Sequence, residues 1–175
     1  MADPEPEFEA LVARYYALLY QFAFGLTRAE ADACDLTQQT FLIWASKGHQ
    51  LRDASKVKTW LFTTLHRQFL ESQRRSKRFV HEEIGTIEHA LPTVSSGVVE
   101  RVDGSKVLEA LGRVDPVYRA AVSLFYLEDW SYQEISEILD VPLGTVKSRI
   151  SRGVHQLQKM LTEGSTGGRR EIGEM

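Results

Sequence analysis

Apolar residues recur at steps of three and four along most of this chain, and nowhere do apolar and polar residues alternate over the length of a strand. Phe8, Leu11, Val12, Tyr15, Leu18, Leu19, Phe22 and Leu26 share one face of a helix running to about Gly25. The same period returns in Ala33, Leu36, Thr40, Ile43 and Trp44. After the Gly- and Asp-containing stretch KGHQLRDAS it returns again in Leu61, Phe62, Leu65 and Phe69. An all-α fold is the only class this pattern serves. The rhythm lapses in HALPTVSSGVVERVDGS, where Pro, Gly and Ser replace the periodic positions, which places a flexible linker at residues 80–103. The chain therefore divides into two small helical domains, 1–79 and 104–161, each expected to fold alone. Residues 162–175, TEGSTGGRREIGEM, lack apolar spacing and read as a disordered tail.

In the second half, Val107, Leu108, Leu111 and Val114 form a face that ends near Asp115-Pro116, and a further helix covers Val117 to Leu127. Ser131 followed by Glu134 is a capping box, and Ile135, Ile138 and Leu139 give the next helix its buried side. Val141-Pro142-Leu143-Gly144 stops that helix. Advancing about 100° per residue from Val146 puts Val146, Ile150, Val154 and Leu157 toward the core. Ser148, Arg152 and His155 fall opposite, flanked by Lys147, Arg149 and Ser151. Two helices joined by a tight turn, the second presenting Arg and short polar residues near its start, fit a DNA-reading helix-turn-helix. The pattern also describes a helical hairpin with a solvated outer face.

The 175-residue chain is 43% apolar and carries a net charge of −3, a sum that conceals segregation. Residues 56–78 hold seven Lys or Arg against the single acid Glu71. Residues 80–103 hold five acids against one Arg, and residues 144–161 hold four bases and no acid. On the helix from Thr59, Trp60, Thr63, Arg67 and Arg74 lie opposite the apolar face. An exposed ring among bases can stack on unpaired nucleotides while Lys and Arg neutralise the backbone. The alternative tucks Trp60 beneath the loop of residues 48–56. Between Glu30 and Trp44, the residues Asp35, Gln38, Gln39 and Leu42 share an outer face, which is either a docking surface or an ordinary surface carrying one leucine.

Other classes find little support. No run of about 18 apolar residues occurs, and the start, MADPEPEFEA, is acidic where a signal peptide is basic and then apolar, so a cytoplasmic protein without membrane insertion is expected. The single Cys34 and five scattered His residues form no C-x-x-C or H-E-x-x-H set, so neither metal nor cofactor is expected. His81, Glu82 and Glu83 lie in the linker with no rigid element to hold them, and no catalytic constellation is expected elsewhere.

Three segments in this order, DACDLTQQTFLIW, KTWLFTTLHRQFLESQRRSKR and LEALGRVDPVYRAAVSLFYLEDWSYQEISEILDVPLGTVKSRISRG, resemble the extracytoplasmic-function (ECF) group of bacterial sigma-70-like factors. The resemblance spans residues 8 to 161. It implies that Asp35, Gln38, Gln39 and Leu42 dock on the beta-prime clamp helices of core RNA polymerase, with Gln39 standing where the family usually has Glu. It implies that Lys56, Lys58, Trp60, Arg67 and Arg74 bind the melted minus-ten strand, with Leu65-His66-Arg67 in place of the family's frequent Ala-Arg-Asn. Lys147, Ser148, Arg149, Ser151 and Arg152 would read the minus-thirty-five duplex, Ser148 and Arg152 at base edges and the flanking Lys147 and Arg149 at phosphates. The beta flap of polymerase, promoter DNA and an anti-sigma factor are the further partners implied. The acidic linker would thread the polymerase channel, or serve only as a tether.

Overall fold

In the computed structural model, residues 8–77 and 104–166 are described, and among them there are seven α-helices, two 3-10 turns and no strand. The first unit comprises α1 (Phe8–Thr27), α2 (Glu30–Lys47), the turns Gly48–Gln50 and Ala54–Lys56, and α3 (Val57–Lys77). The second comprises α4 (Gly104–Leu111), α5 (Pro116–Leu127), α6 (Tyr132–Leu139) and α7 (Leu143–Thr166). The linker assigned to residues 80–103 lies outside the described residues.

The buried faces are those the periodicity picks out. Leu11, Leu19, Phe22 and Leu26 of α1 meet Ala33, Leu36 and Phe41 of α2 and Leu61, Phe62, Leu65 and Phe69 of α3. Phe8 is the exception: at the first position of its helix it remains 44% exposed. Thr37 and Thr40 enter the core because their hydroxyls donate to Ala33 O at 2.7 Å and Leu36 O at 2.8 Å, which satisfies them locally. Arg28 ends α1 in the left-handed region (φ 59°) with its N–H donating to Phe24 O at 2.8 Å.

In the second unit Asp115 caps α5 by accepting from Val117 N–H at 3.0 Å, and Pro116 takes the first helical position, where a missing N–H costs nothing. Two sequence readings need correction here. α6 ends before Val141, on Asp140 in the left-handed region (φ 53°), so Leu143-Gly144 opens α7 instead of closing α6. α7 also runs on to Thr166, beyond the boundary at residue 161, because extending a formed helix is far cheaper than nucleating one. The remainder of the tail lies outside the described residues.

The two helical domains pack against each other. Apolar residues of both share one cluster, in which Phe22, Leu61 and Phe62 join Ala121, Leu124, Trp130 and Ile135, while Ala110, Leu111, Val114, Val122 and Leu157 form a second cluster within the second domain. α3 packs on α6 and α1 on α5. Gly25 allows the latter approach: a Cβ there would stand 3.3 Å from Ser123 Oγ. Arg119 of α5 spans the junction, donating from Nη1 to Leu26 O at 3.2 Å and from Nη2 to Gly112 O and Val114 O, both at 2.9 Å. The physical reason is size. Units this small bury only a modest fraction of their apolar surface internally, and each offers the other a face to cover.

Candidate nucleic-acid interface

The basic edge of the first unit begins where Asp53 caps the second 3-10 turn, its Oδ1 accepting from Ser55 N–H at 2.9 Å and from Ser55 Oγ at 2.6 Å. Those bonds hold the Asp53 carboxyl below the usual carboxylate range. Lys56 closes the turn and is exposed; Lys58 follows in the first turn of α3 and is half-buried. Arg67 and Arg74 continue the edge toward the far end of α3 and are exposed. Trp60 is half-buried rather than fully on the wet side, because α2 supplies a neighbour that a single-helix projection omits. Its ring meets Trp44 edge to face, with centroids 5.1 Å apart at 76°.

Both lysines are engaged by the second unit. Lys58 Nζ lies 4.4 Å from the centroid of the Trp130 ring and 5.9 Å from that of Phe62. Lys56 Nζ is 3.9 Å from Glu137 Oε2. Beneath them sits Glu128, at the end of α5, whose carboxyl is pushed up to about 7 by burial, against the opposing charge of Lys58. His66, on the inner side of α3, is held down at about 4 by burial, then by the cations Arg149 and Arg67. Arg149 of α7 therefore faces the same junction.

The helix-turn-helix is built as the capping residues predict. Ser131 Oγ accepts from Glu134 N–H at 3.2 Å, and Glu134 Oε2 accepts from Ser131 N–H at 2.9 Å and Ser131 Oγ at 2.8 Å. The Ser131 backbone and hydroxyl donors lower the Glu134 pKa. Ser136 Oγ donates to Val141 O at 2.7 Å and pins the turn. Val146, Ile150, Val154 and Leu157 are buried. Lys147 is exposed, whereas Ser148, Arg149, Ser151 and Arg152 are all half-buried, and Arg152 Nε is inaccessible to solvent. The helical projection makes Ser148 and Arg152 the most open positions; in the folded chain Lys147 is more open than either. Other elements packed around α7 change the ranking that one helix implies.

Asp35, Gln38, Gln39 and Leu42 are exposed together along α2, with Leu42 64% exposed. Gln38 Nε2 donates to Cys34 Sγ at 3.5 Å. Asp35 and Gln39 also line a polar groove whose other wall, from α3, includes Glu71 and Arg75. Among the described residues no three His, Cys, Asp or Glu side chains come together to hold a metal ion, and no helix is long and apolar enough to cross a membrane.

Sequence reasoning passed over Arg119, Glu128, Trp130 and Glu137. The run LEDWS carried a faint signal, a Trp beside acids just ahead of a helix cap, but its partner Lys58 lies in the other unit.

Residues 11–79 match the family described as Sigma-70 region 2, and residues 105–157 match Sigma-70, region 4. The ECF RNA polymerase sigma factor SigE of Mycolicibacterium smegmatis is 33% identical over 165 residues, which cover 92% of this chain and 64% of that protein. The ECF RNA polymerase sigma factor SigL of Mycobacterium tuberculosis is 29% identical over 160 residues, 88% of each chain. Among solved structures, the sigma factor RpoE of Bartonella quintana, in complex with the anti-sigma factor NepR, is similar with a TM-score of 0.70 and 27% identity over 89% of this chain and 96% of that one. Two sigma-70 regions in order on one helical chain, with ECF sigma factors as relatives along most of its length, place the protein in the extracytoplasmic-function group of the sigma-70 family of RNA polymerase sigma factors.

Proposed function

We propose that this protein binds core RNA polymerase and directs promoter-specific initiation, reading minus-ten DNA as a single strand and minus-thirty-five DNA as duplex, with no catalytic activity of its own. The observation that carries the reading is the presence, on one chain, of two separate basic helical surfaces of different chemistry. The α3 edge combines Lys56, Lys58, Arg67 and Arg74 with the partly open Trp60 ring, a set suited to backbone neutralisation and base stacking. The start of α7 offers Lys147, Ser148, Arg149, Ser151 and Arg152 on a capped helix-turn-helix, a set suited to phosphates and base edges in a major groove. The exposed Asp35, Gln38, Gln39 and Leu42 stripe is the docking face for the beta-prime clamp helices, and the second unit meets the beta flap. Residues 1–79 and 104–161 are the working divisions, with 80–103 as the acidic connector between them.

Each basic surface is small, and its phosphate contacts weaken steeply with salt, so tight promoter binding requires polymerase to hold both on one DNA. An anti-sigma factor is the natural inhibitor by analogy with the RpoE complex. Run-off transcription with core polymerase on a promoter library tests the reading. Selective initiation that needs this chain, falls with Trp60→Ala at the minus-ten element and falls with Arg149→Ala at the minus-thirty-five element is expected. Initiation no more selective than that of core enzyme alone rejects the reading, and tight specific binding to free duplex without polymerase points instead to a stand-alone helix-turn-helix regulator.

A further inference from the structure

We propose that Leu143, the first residue of α7, reads the C5-methyl group of a thymine in the minus-thirty-five element, adding an apolar contact to the cationic and hydroxyl groups already assigned to that helix. The inference rests on the duplex-reading role given above to α7.

A leucine left open at the head of a helix calls for a reason. Leu143 is 38% exposed, whereas the apolar residues on either side of it turn inward: Val141 packs on the shared cluster and Val146 is buried in it. Its side chain is not what starts the helix. Pro142 O accepts from Thr145 N–H at 2.9 Å and from Val146 N–H at 3.1 Å, and Ser136 Oγ donates to Val141 O at 2.7 Å, so backbone and hydroxyl groups fix the turn and the first residues of α7. The space around the leucine is open as well. Pro142 and Gly144 are exposed, and a Cβ on Gly144 would meet nothing within 4 Å.

Position supplies the reason. Steps of four from Leu143 lead to Lys147 and Ser151, so the leucine heads the same strip of α7 as two of the residues assigned to DNA. Lys147 is exposed, and residues 144–161 hold four bases and no acid, so a duplex approaches this strip without opposing charge. When the second helix of a helix-turn-helix lies in a major groove, its N-terminal residues are the ones that reach base edges. An alkyl side chain offers nothing to a phosphate, a donor or an acceptor. The thymine methyl is the apolar group that the groove displays, and contact between the two removes both from water. Gly144, next in the chain, carries no side chain to hold the duplex away from this turn.

The test uses holoenzyme made from core polymerase and the full chain, in run-off transcription on promoters randomised in the minus-thirty-five element. The parent is expected to select thymine at one position, and Leu143→Ala to relax the preference there alone, while Leu143→Met keeps it. Deoxyuridine in place of that thymine removes the methyl and nothing else; it should lower initiation by the parent about threefold to tenfold and leave Leu143→Ala unchanged. A parent that selects no thymine, or that is indifferent to the methyl, overturns the inference, as does a Leu143→Ala loss of equal size on thymine and deoxyuridine promoters. Lys147→Ala judges the underlying reading separately. A loss spread over all minus-thirty-five sequences upholds α7 on the duplex even where Leu143→Ala has no effect, in which case the leucine contact alone is rejected. Undiminished initiation with both variants removes the duplex-reading role and the leucine contact together.

Discussion

Lys58 holds its ammonium 4.4 Å from the centre of the Trp130 ring, and this contact joins the first turn of α3 to the residue just before the cap of α6. It lies in the seam between the two sigma regions. The cation and the ring come from opposite sides of residues 78–103, so neither local helix propensity nor local capping brings them together.

Replacing Trp130 should reveal what the seam contributes. Trp130 is 5% exposed and packs against Phe62, so Trp130→Ala is expected to cost about 3–5 kcal/mol in equilibrium unfolding by urea. Trp130→Phe should cost much less, about 1 kcal/mol, because it keeps an aromatic ring and removes an indole N–H that has no partner. Equal losses for the two changes would contradict this account.

Two buried groups give opposite pH dependences. Glu128 has its folded pKa raised from 4.5 to about 7 by burial, with Lys58 across from it; its relative contribution is full below pH 4.5 and is lost as pH rises through about 7. His66 is lowered from 6.5 to about 4 by burial and by Arg149 and Arg67; its contribution is present above pH 6.5 and is lost as pH falls through about 4. Thermal melts should accordingly show Glu128→Gln gaining on the parent protein as pH rises from about 4.5 through about 7. His66→Phe should remove the acid-side decline. A parallel shift at every pH would rule out both assignments.

Two glycines of α7 should respond in opposite directions to alanine. A Cβ at Gly153 would run into Val122 Cγ2 and stand 3.1 Å from Tyr118 Cβ, where α7 crosses α5. Gly153→Ala is expected to destabilise by about 1–3 kcal/mol through overpacking. Gly144, in the first turn of α7, has nothing within 4 Å of the added Cβ, so Gly144→Ala should stabilise by about 0.4–1 kcal/mol by restricting the unfolded chain. Denaturant midpoints for the pair measure the contrast.

The turn of the helix-turn-helix depends on Asp140 at φ 53°, a conformation that β-branched residues resist. Asp140→Gly is expected to hold or raise the melting temperature, and Asp140→Val to lower stability by about 1–2 kcal/mol. Circular dichroism during heating distinguishes them, and indifference to valine would mean that the turn is not strained there.

Helix faces were legible in the sequence because burial on a helix is written in a period of 3.6 residues. Leu61, Phe62, Leu65 and Phe69 on α3, and Val146, Ile150, Val154 and Leu157 on α7, are buried as that period requires. The Ser131–Glu134 box was legible for a related reason, since both partners of a cap lie within one turn. The end of α6 was misread because Asp in place of Gly gives a weaker mark of a left-handed residue. The polar α2 stripe was visible too, and its exposure agrees with the pattern. What no local pattern encodes is which face meets which across the chain. Trp60 turned partly inward because Trp44 covers it, Ser148 and Arg152 lost exposure to packing around α7, and Lys56 and Lys58 found Glu137 and Trp130. The sequence by itself determined the helices, their inner faces and the family; only the tertiary structure decided that the two regions share an apolar cluster, because contacts between distant segments depend on shape and satisfied polar groups that periodicity does not record.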